Sequence, residues 1–188
     1  MSVEIIRNAL CIVVRNQGEY GAFFVREGKN GTGPDTRRYC ELTIQSSFGN
    51  VGYFWPHIYS PACMFLSGAD KHYFLGKLFG RKAYIFDAER TEKELLRMLL
   101  EDRRHGEIKK KRARELYDAI SGLGLFETRK HFCDVYAEYE DLLQWRTVDD
   151  IPFCNMLNPQ AVGLWETLWP EFIQALNEEA LRPRDIVP

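Results

Sequence analysis

The sequence predicts an α+β fold, an N-terminal antiparallel sheet of three to four strands packed by C-terminal helices. Three observations lead there. β-branched and aromatic runs broken by turn residues fill residues 1–56, helical periodicity dominates from about residue 60 to 180, and no repeat or low-complexity linker divides the chain. A single domain over residues 1–188 is the economical organisation, because cores usually stop growing only beyond roughly 250 residues.

The first two strands are expected in residues 3–14, VEIIRNALCIVV, and 19–27, EYGAFFVRE, joined by the turn-forming Asn16, Gln17 and Gly18. A second turn, Gly28 to Asp35, leads into RRYCELTIQ, where Tyr39, Glu41, Thr43 and Gln45 alternate with Cys40, Leu42 and Ile44. That alternation gives a strand with one apolar face. A fourth strand from Val51 to Trp55 completes a meander, and Pro56 ends its capacity to donate ladder bonds.

Past the sheet, Pro61 can start a helical turn, and the pattern from Ala69 to Leu78 reads as a helix ended by Gly80. Tyr84 to Phe86 suits one short strand. The next helix carries the Leu95 to Leu100 cluster, and either Asp87 or a Thr91–Glu94 capping box can open it. Gly106 separates it from a partner whose stripe is Ile108, Leu116 and Ile120, with Ala113 and Tyr117 beside it. From His131 to Trp145, Phe132, Val135, Tyr136, Tyr139, Leu142 and Leu143 keep helical spacing, which predicts one helix. The last pattern, Trp165 to Leu176, contains Pro170, which must kink it or begin a second segment; RPRDIVP reads as a loose tail.

Hydrophobic residues at 45% and charged residues at 28% exclude the composition of a disordered chain. Five scattered cysteines, with no start resembling a signal peptide, point to reduced thiols in a cytoplasmic protein. No apolar run approaches the ~20 residues that span a bilayer, so a membrane partner is not expected.

Charge is uneven along the chain. Residues 1–133 hold 22 Lys and Arg against 16 Asp and Glu, whereas 134–188 hold 3 against 11, so the acidic end could fold back over a basic segment. The densest basic stretch is RRHGEIKKKRAR, whose Arg103, Arg104, Lys109, Lys110, Lys111, Arg112 and Arg114 straddle a helix–turn–helix junction. These cations suit phosphates or an acidic protein surface. They also suit a wet helix face on which Glu107 and Glu115 pair with lysines. KKKRAR lacks the Asn, Gln and Ser mixture of base readout, so contact with a nucleic-acid backbone is the expected mode.

Other chemistry is thinly supplied. GKNGTGPDT does not keep the G-K-[ST] order of a phosphate loop, the four histidines lack metal-site spacing, and no cofactor is called for. An enzymatic alternative would have to assemble His57, His72 and Asp70 with the Gly28–Asp35 loop. The paired Asp149 and Asp150 read as caps or wet faces. Phe48, Tyr53, Phe54 and Trp55 could stack bases if they faced solvent, yet the helices need a sheet face to cover, and core packing is their expected fate.

SSFGNVGYFWPHI, FLSGADKHYFLGKLFG, EDRRHGEI and KKRARELYD together resemble small accessory proteins carried by tailed bacteriophages and prophages. The resemblance covers about residues 40–120, with NPQAVGLWETLWPEF as a further segment. Its motifs are apolar and glycine patterns, which specify a fold and not a reaction, so it carries no activity across. What it implies is context: a protein that works without catalysis by engaging a host or phage protein, or nucleic-acid machinery.

Overall fold

In the computed structural model, which describes residues 9–30, 37–124 and 126–181, four strands form one antiparallel meander: β1 (Leu10–Asn16), β2 (Glu19–Asn30), β3 (Arg37–Ser46) and β4 (Gly49–Ile58). Along the chain follow α1 (Ala62–Ser67), α2 (Lys71–Phe79), β5 (Tyr84–Phe86), α3 (Ala88–Arg104), α4 (Lys110–Ser121), α5 (Arg129–Tyr136), α6 (Glu140–Trp145), β6 (Asn155–Leu157), α7 (Pro159–Gly163) and α8 (Trp169–Leu181). The fold is therefore α+β. The chain divides into two compact units, one of residues 1–83 with 157–188 and one of residues 84–156.

The first unit is built on the sheet. Gln17 at φ 51° and Gly18 at φ 84° supply the two left-handed residues of a tight hairpin turn, whose twist matches the flanking strands. The alternation in β3 works as the sequence predicts: Cys40, Leu42 and Ile44 are fully buried. Pairing places Ile44 between Phe23 and Val51, and Leu42 between Val25 and Tyr53, which makes one apolar inner face. Helices cover that face, with Phe23 stacked on Phe172 at 4.3 Å and Trp55 on Phe74 at 4.9 Å. Large aromatic faces in such contact dominate the burial energy of a core this size.

Two sheet expectations change. Gly28, Lys29 and Asn30 are not turn residues; they pair with Tyr39, Arg38 and Arg37, while residues 31–36 lie outside the described residues, as do 1–8. Pro56 does not end β4. The strand runs on to Ile58 because it is an edge strand, where a missing N–H is tolerated, and a register shift between Arg38 and Cys40 absorbs the irregularity.

Between α7 and α8 the helix widens to one π turn, Leu164–Leu168, in which Trp169 N–H bonds back to the Leu164 carbonyl. Pro170 explains the break, since it lacks the N–H that a regular turn would use. The Thr167 carbonyl accepts instead from Asn16 Nδ2 at 2.9 Å, so the end of β1 satisfies a polar group that the wide turn leaves over. Pro170 thus begins a second segment in its first turn. The tail 182–188 lies outside the described residues.

The second unit has its own core of Leu95, Leu99, Leu116, Ile120, Phe132, Tyr136 and Leu142. Asp87, not Thr91, caps α3, accepting from Arg90 N–H at 2.9 Å. Thr91 is fully buried; its Oγ1 donates to the Asp87 carbonyl and accepts from Cys154 N–H at 3.0 Å. The single helix expected from His131 to Trp145 is two. Tyr136 lies within hydrogen-bond reach of the carbonyls of Leu142 and Arg146 at 3.3 and 3.2 Å. In an unbroken helix, ten residues would separate Tyr136 from Arg146 by about 15 Å. The chain must fold back, and it does so at Ala137 to Tyr139.

Candidate functional site

The basic segment lies in the second unit at the junction of α3 and α4. Arg103 and Arg104 occupy the last turn of α3, where cations complement the negative end of the helix dipole. Gly106 at φ 80° turns the chain, and Glu107 N–H bonds the Asp102 carbonyl at 3.0 Å. Lys109 then stands at the start of α4 with no side-chain cap, and the first turn that follows contains no acid. Lysines at a helix N-terminus add to its positive pole instead of offsetting it. This end of the helix pair is therefore a local excess of positive charge.

The seven cations divide by environment. Arg112 is half-buried and committed: Nη1 pairs with the Asp141 carboxylate, and Nη2 donates to the Asp141 carbonyl at 3.1 Å. The hydrogen bond to Asp141 pushes the Arg112 pKa above its ordinary value. Lys111 and Arg112 approach Glu115 at 4.0 and 3.7 Å. Among the described residues, Arg103, Arg104, Lys109, Lys110 and Arg114 have no ion-pair partner within 4.0 Å, and all five are exposed. Glu107 makes no such pair there either. Lys110, Arg114 and Tyr117 fall at helical steps of four and three on the side away from Leu116 and Ile120, and Tyr117 is 49% exposed. The sequence places Tyr117 beside the apolar stripe; the structure puts its ring on the wet stripe with Arg114.

The residues of the enzymatic alternative lie in the first unit. Asp70 caps α2, accepting from Tyr73 N–H at 2.9 Å, His72 is exposed in the first turn of that helix, and His57 is exposed on β4. Only Gly28 to Asn30 of the accompanying loop fall within the described residues. No group of three or more His, Cys, Asp or Glu among the described residues could hold a metal ion. Asp150 accepts from Thr147 N–H at 3.1 Å and Oγ1 at 2.8 Å; these bonds hold its pKa below the ordinary carboxylate value and make it a cap. Of the four clustered aromatics, Trp55, Tyr53 and Phe48 join the inner core, whereas Phe54 faces solvent at 43% exposure. No helix among the described residues is long and apolar enough to cross a membrane.

An α+β chain whose most concentrated charge is a basic helical junction defines the general class. More particularly, a family model described as a phage family, Phage_phiTE_072, matches residues 35–176, and the chain belongs to that family. The match runs from just before β3 to α8 and takes in both units. No curated protein and no solved structure matched the chain.

Proposed function

We propose that this phage protein is an accessory factor that engages a polyanionic macromolecule, a nucleic-acid backbone or an acidic surface of a host or phage protein that handles nucleic acid. It acts in the cytoplasm without chemistry of its own, and Arg103, Arg104, Lys109, Lys110 and Arg114 form the contact. The observation that carries this reading is that, among the described residues, none of these five exposed cations within twelve residues has an ion-pair partner within 4.0 Å, and that they include a helix start that concentrates positive charge. Arg112 holds α4 to α6 through Asp141 more than it reaches outward, whereas Lys111, exposed and 4.0 Å from Glu115 of its own helix, flanks the contact.

Retention on duplex DNA or heparin across a salt series tests it. Retention should fall linearly in log salt, with a slope near −0.9 for each phosphate neutralised on duplex DNA. Reversing Lys109, Lys110 and Arg114 to Glu should shorten it, and Asp141→Asn, which frees Arg112, should lengthen it. The lost surface pair should cost about 0–1 kcal/mol of stability. Salt-insensitive or absent retention removes the nucleic-acid arm, and a pull-down that the same reversal leaves unchanged removes the protein arm.

A further inference from the structure

We infer a second binding surface, on the outer face of the four-stranded sheet: a platform for single-stranded nucleic acid in which Phe54, with Tyr39 and Tyr20 beside it, stacks on bases and Arg15 and Arg37 meet the phosphates. This surface belongs to the first unit and does not depend on the basic junction in the second.

The register sets out the face row by row. Arg15 lies opposite Tyr20; Val13 opposite Ala22, then Gln45 and Asn50; Cys11 opposite Phe24, then Thr43 and Gly52; and Arg26 opposite Glu41, then Phe54. Residues directly opposite in an antiparallel ladder share a face, and these rows alternate with the buried Phe23, Val25, Leu42 and Ile44. The helices of this unit pack on the inner side, through the Phe23–Phe172 and Trp55–Phe74 stacks. The outer side meets solvent: Val13 is 48% exposed, Phe54 43% and Tyr20 41%, and Thr43, Gln45, Asn50 and Gly52 are exposed.

Its floor is low, and two of its rings, Tyr39 and Phe54, pack tilted at 44° to each other. Gly52 and Ala22 leave the centre without bulk. Gly28 lets Tyr39 lie across β2, since a Cβ there would stand 2.4 Å from the Tyr39 ring. Phe54 lies beside that ring with centroids 5.5 Å apart, and Arg26 sits 5.4 Å from the Tyr39 centroid, fixed by Glu41 at 2.6 Å. Arg15 repeats the arrangement 5.4 Å from the centroid of Tyr20. Among the described residues of this face, the cations Arg15, Arg26 and Arg37 stand against one acid, Glu41. The half-exposed Phe54 ring, beside tyrosines that carry arginines, matches a polymer that alternates planar rings with phosphates. A duplex hides its ring faces, so the match is to a single strand.

Fluorescence anisotropy of the full chain with labelled oligo(dT) and oligo(U), set beside a short duplex, tests the inference. Both single strands should bind, and Phe54→Ala should weaken them about five- to a hundredfold, the range for one lost stacking contact. Phe54→Trp should retain binding and add fluorescence that the oligonucleotide quenches. Arg15→Gln should reduce the salt slope by about 0.7. Unchanged thermal melting of the Phe54 variants shows that the fold is intact, as expected for a half-exposed ring. Failure of the oligonucleotides to bind, or binding that Phe54→Ala changes less than twofold, overturns the platform. Duplex retention lost only on reversing the basic junction would then leave the proposed function standing alone. Phe54-dependent capture of a protein without oligonucleotide binding also overturns the platform.

Discussion

The ring of Phe48 rests against Gly163, so close that a Cβ at position 163 would stand 2.3 Å from Phe48 Cε1. The pair joins the Ser47–Phe48 turn before β4 to the end of α7. Gly163→Ala should destabilise the protein by about 1–3 kcal/mol, because a packed core yields little to one added methyl. Combining it with Phe48→Leu should recover part of that loss in chemical denaturation. Additive losses would show that the two side chains are not coupled.

Asp102, buried to 9% exposure, accepts from Trp145 Nε1 at 2.8 Å and from Arg146 Nη2 at 3.1 Å on both oxygens. It fastens the end of α3 to the end of α6. Asp102→Ala leaves a one-third-exposed arginine without its counter-charge, and solvent access tempers the penalty to about 2 kcal/mol. Trp145 is the single tryptophan of residues 84–156, so the loss should appear as a changed emission from that residue. Unaltered emission and stability would mean the carboxylate fastens nothing.

Alkali should loosen both units. Burial pushes the Cys40 thiol from 9.0 up to about 12, with Glu27 and Glu41 adding to it; burial likewise pushes the Tyr136 phenol from 10.0 up to about 12. Each group holds its proton more tightly folded than unfolded. Their contributions are therefore intact below pH 9, and are lost as the unfolded groups ionise, from 9.0 towards 12 for Cys40 and from 10.0 towards 12 for Tyr136. Melting temperature should fall across that window, and Tyr136→Phe should flatten the part above pH 10, at a cost of about 1 kcal/mol for the lost hydrogen bond. Exposed Cys11 should react with a thiol reagent at neutral pH while Cys40 does not.

The sheet was legible because its inner face is nearly pure: Cys40, Leu42 and Ile44 are buried without a polar residue among them, and period two has no competing reading. The break between α5 and α6 was not, since both helices bury the same side of the chain, and Phe132, Tyr136 and Leu142 keep their spacing across the fold-back. Asp87 and Thr91 were equal candidates for the cap until the Cys154 amide, 63 residues away from Thr91, claimed the threonine hydroxyl. Three-residue β6 is too short to carry a period. At the basic junction, charge was plain in the sequence, but Asp141 decides that Arg112 is taken and its neighbours are not. Phe54 faces outward simply because Tyr53 and Trp55 face inward.

Asn158 N–H bonds the Ala83 carbonyl at 2.9 Å, and two steps further in Asp87 N–H bonds the Cys154 carbonyl at 2.9 Å. The stretch from Tyr84 to Met156 thus leaves and rejoins its host through one doorway, as an insert with its own interior. Splicing across that doorway would cut no strand of the meander and remove no side chain from the layer beneath it. The two halves of the discontinuous unit already meet there, at the bond from Asn158 N–H to the Ala83 carbonyl.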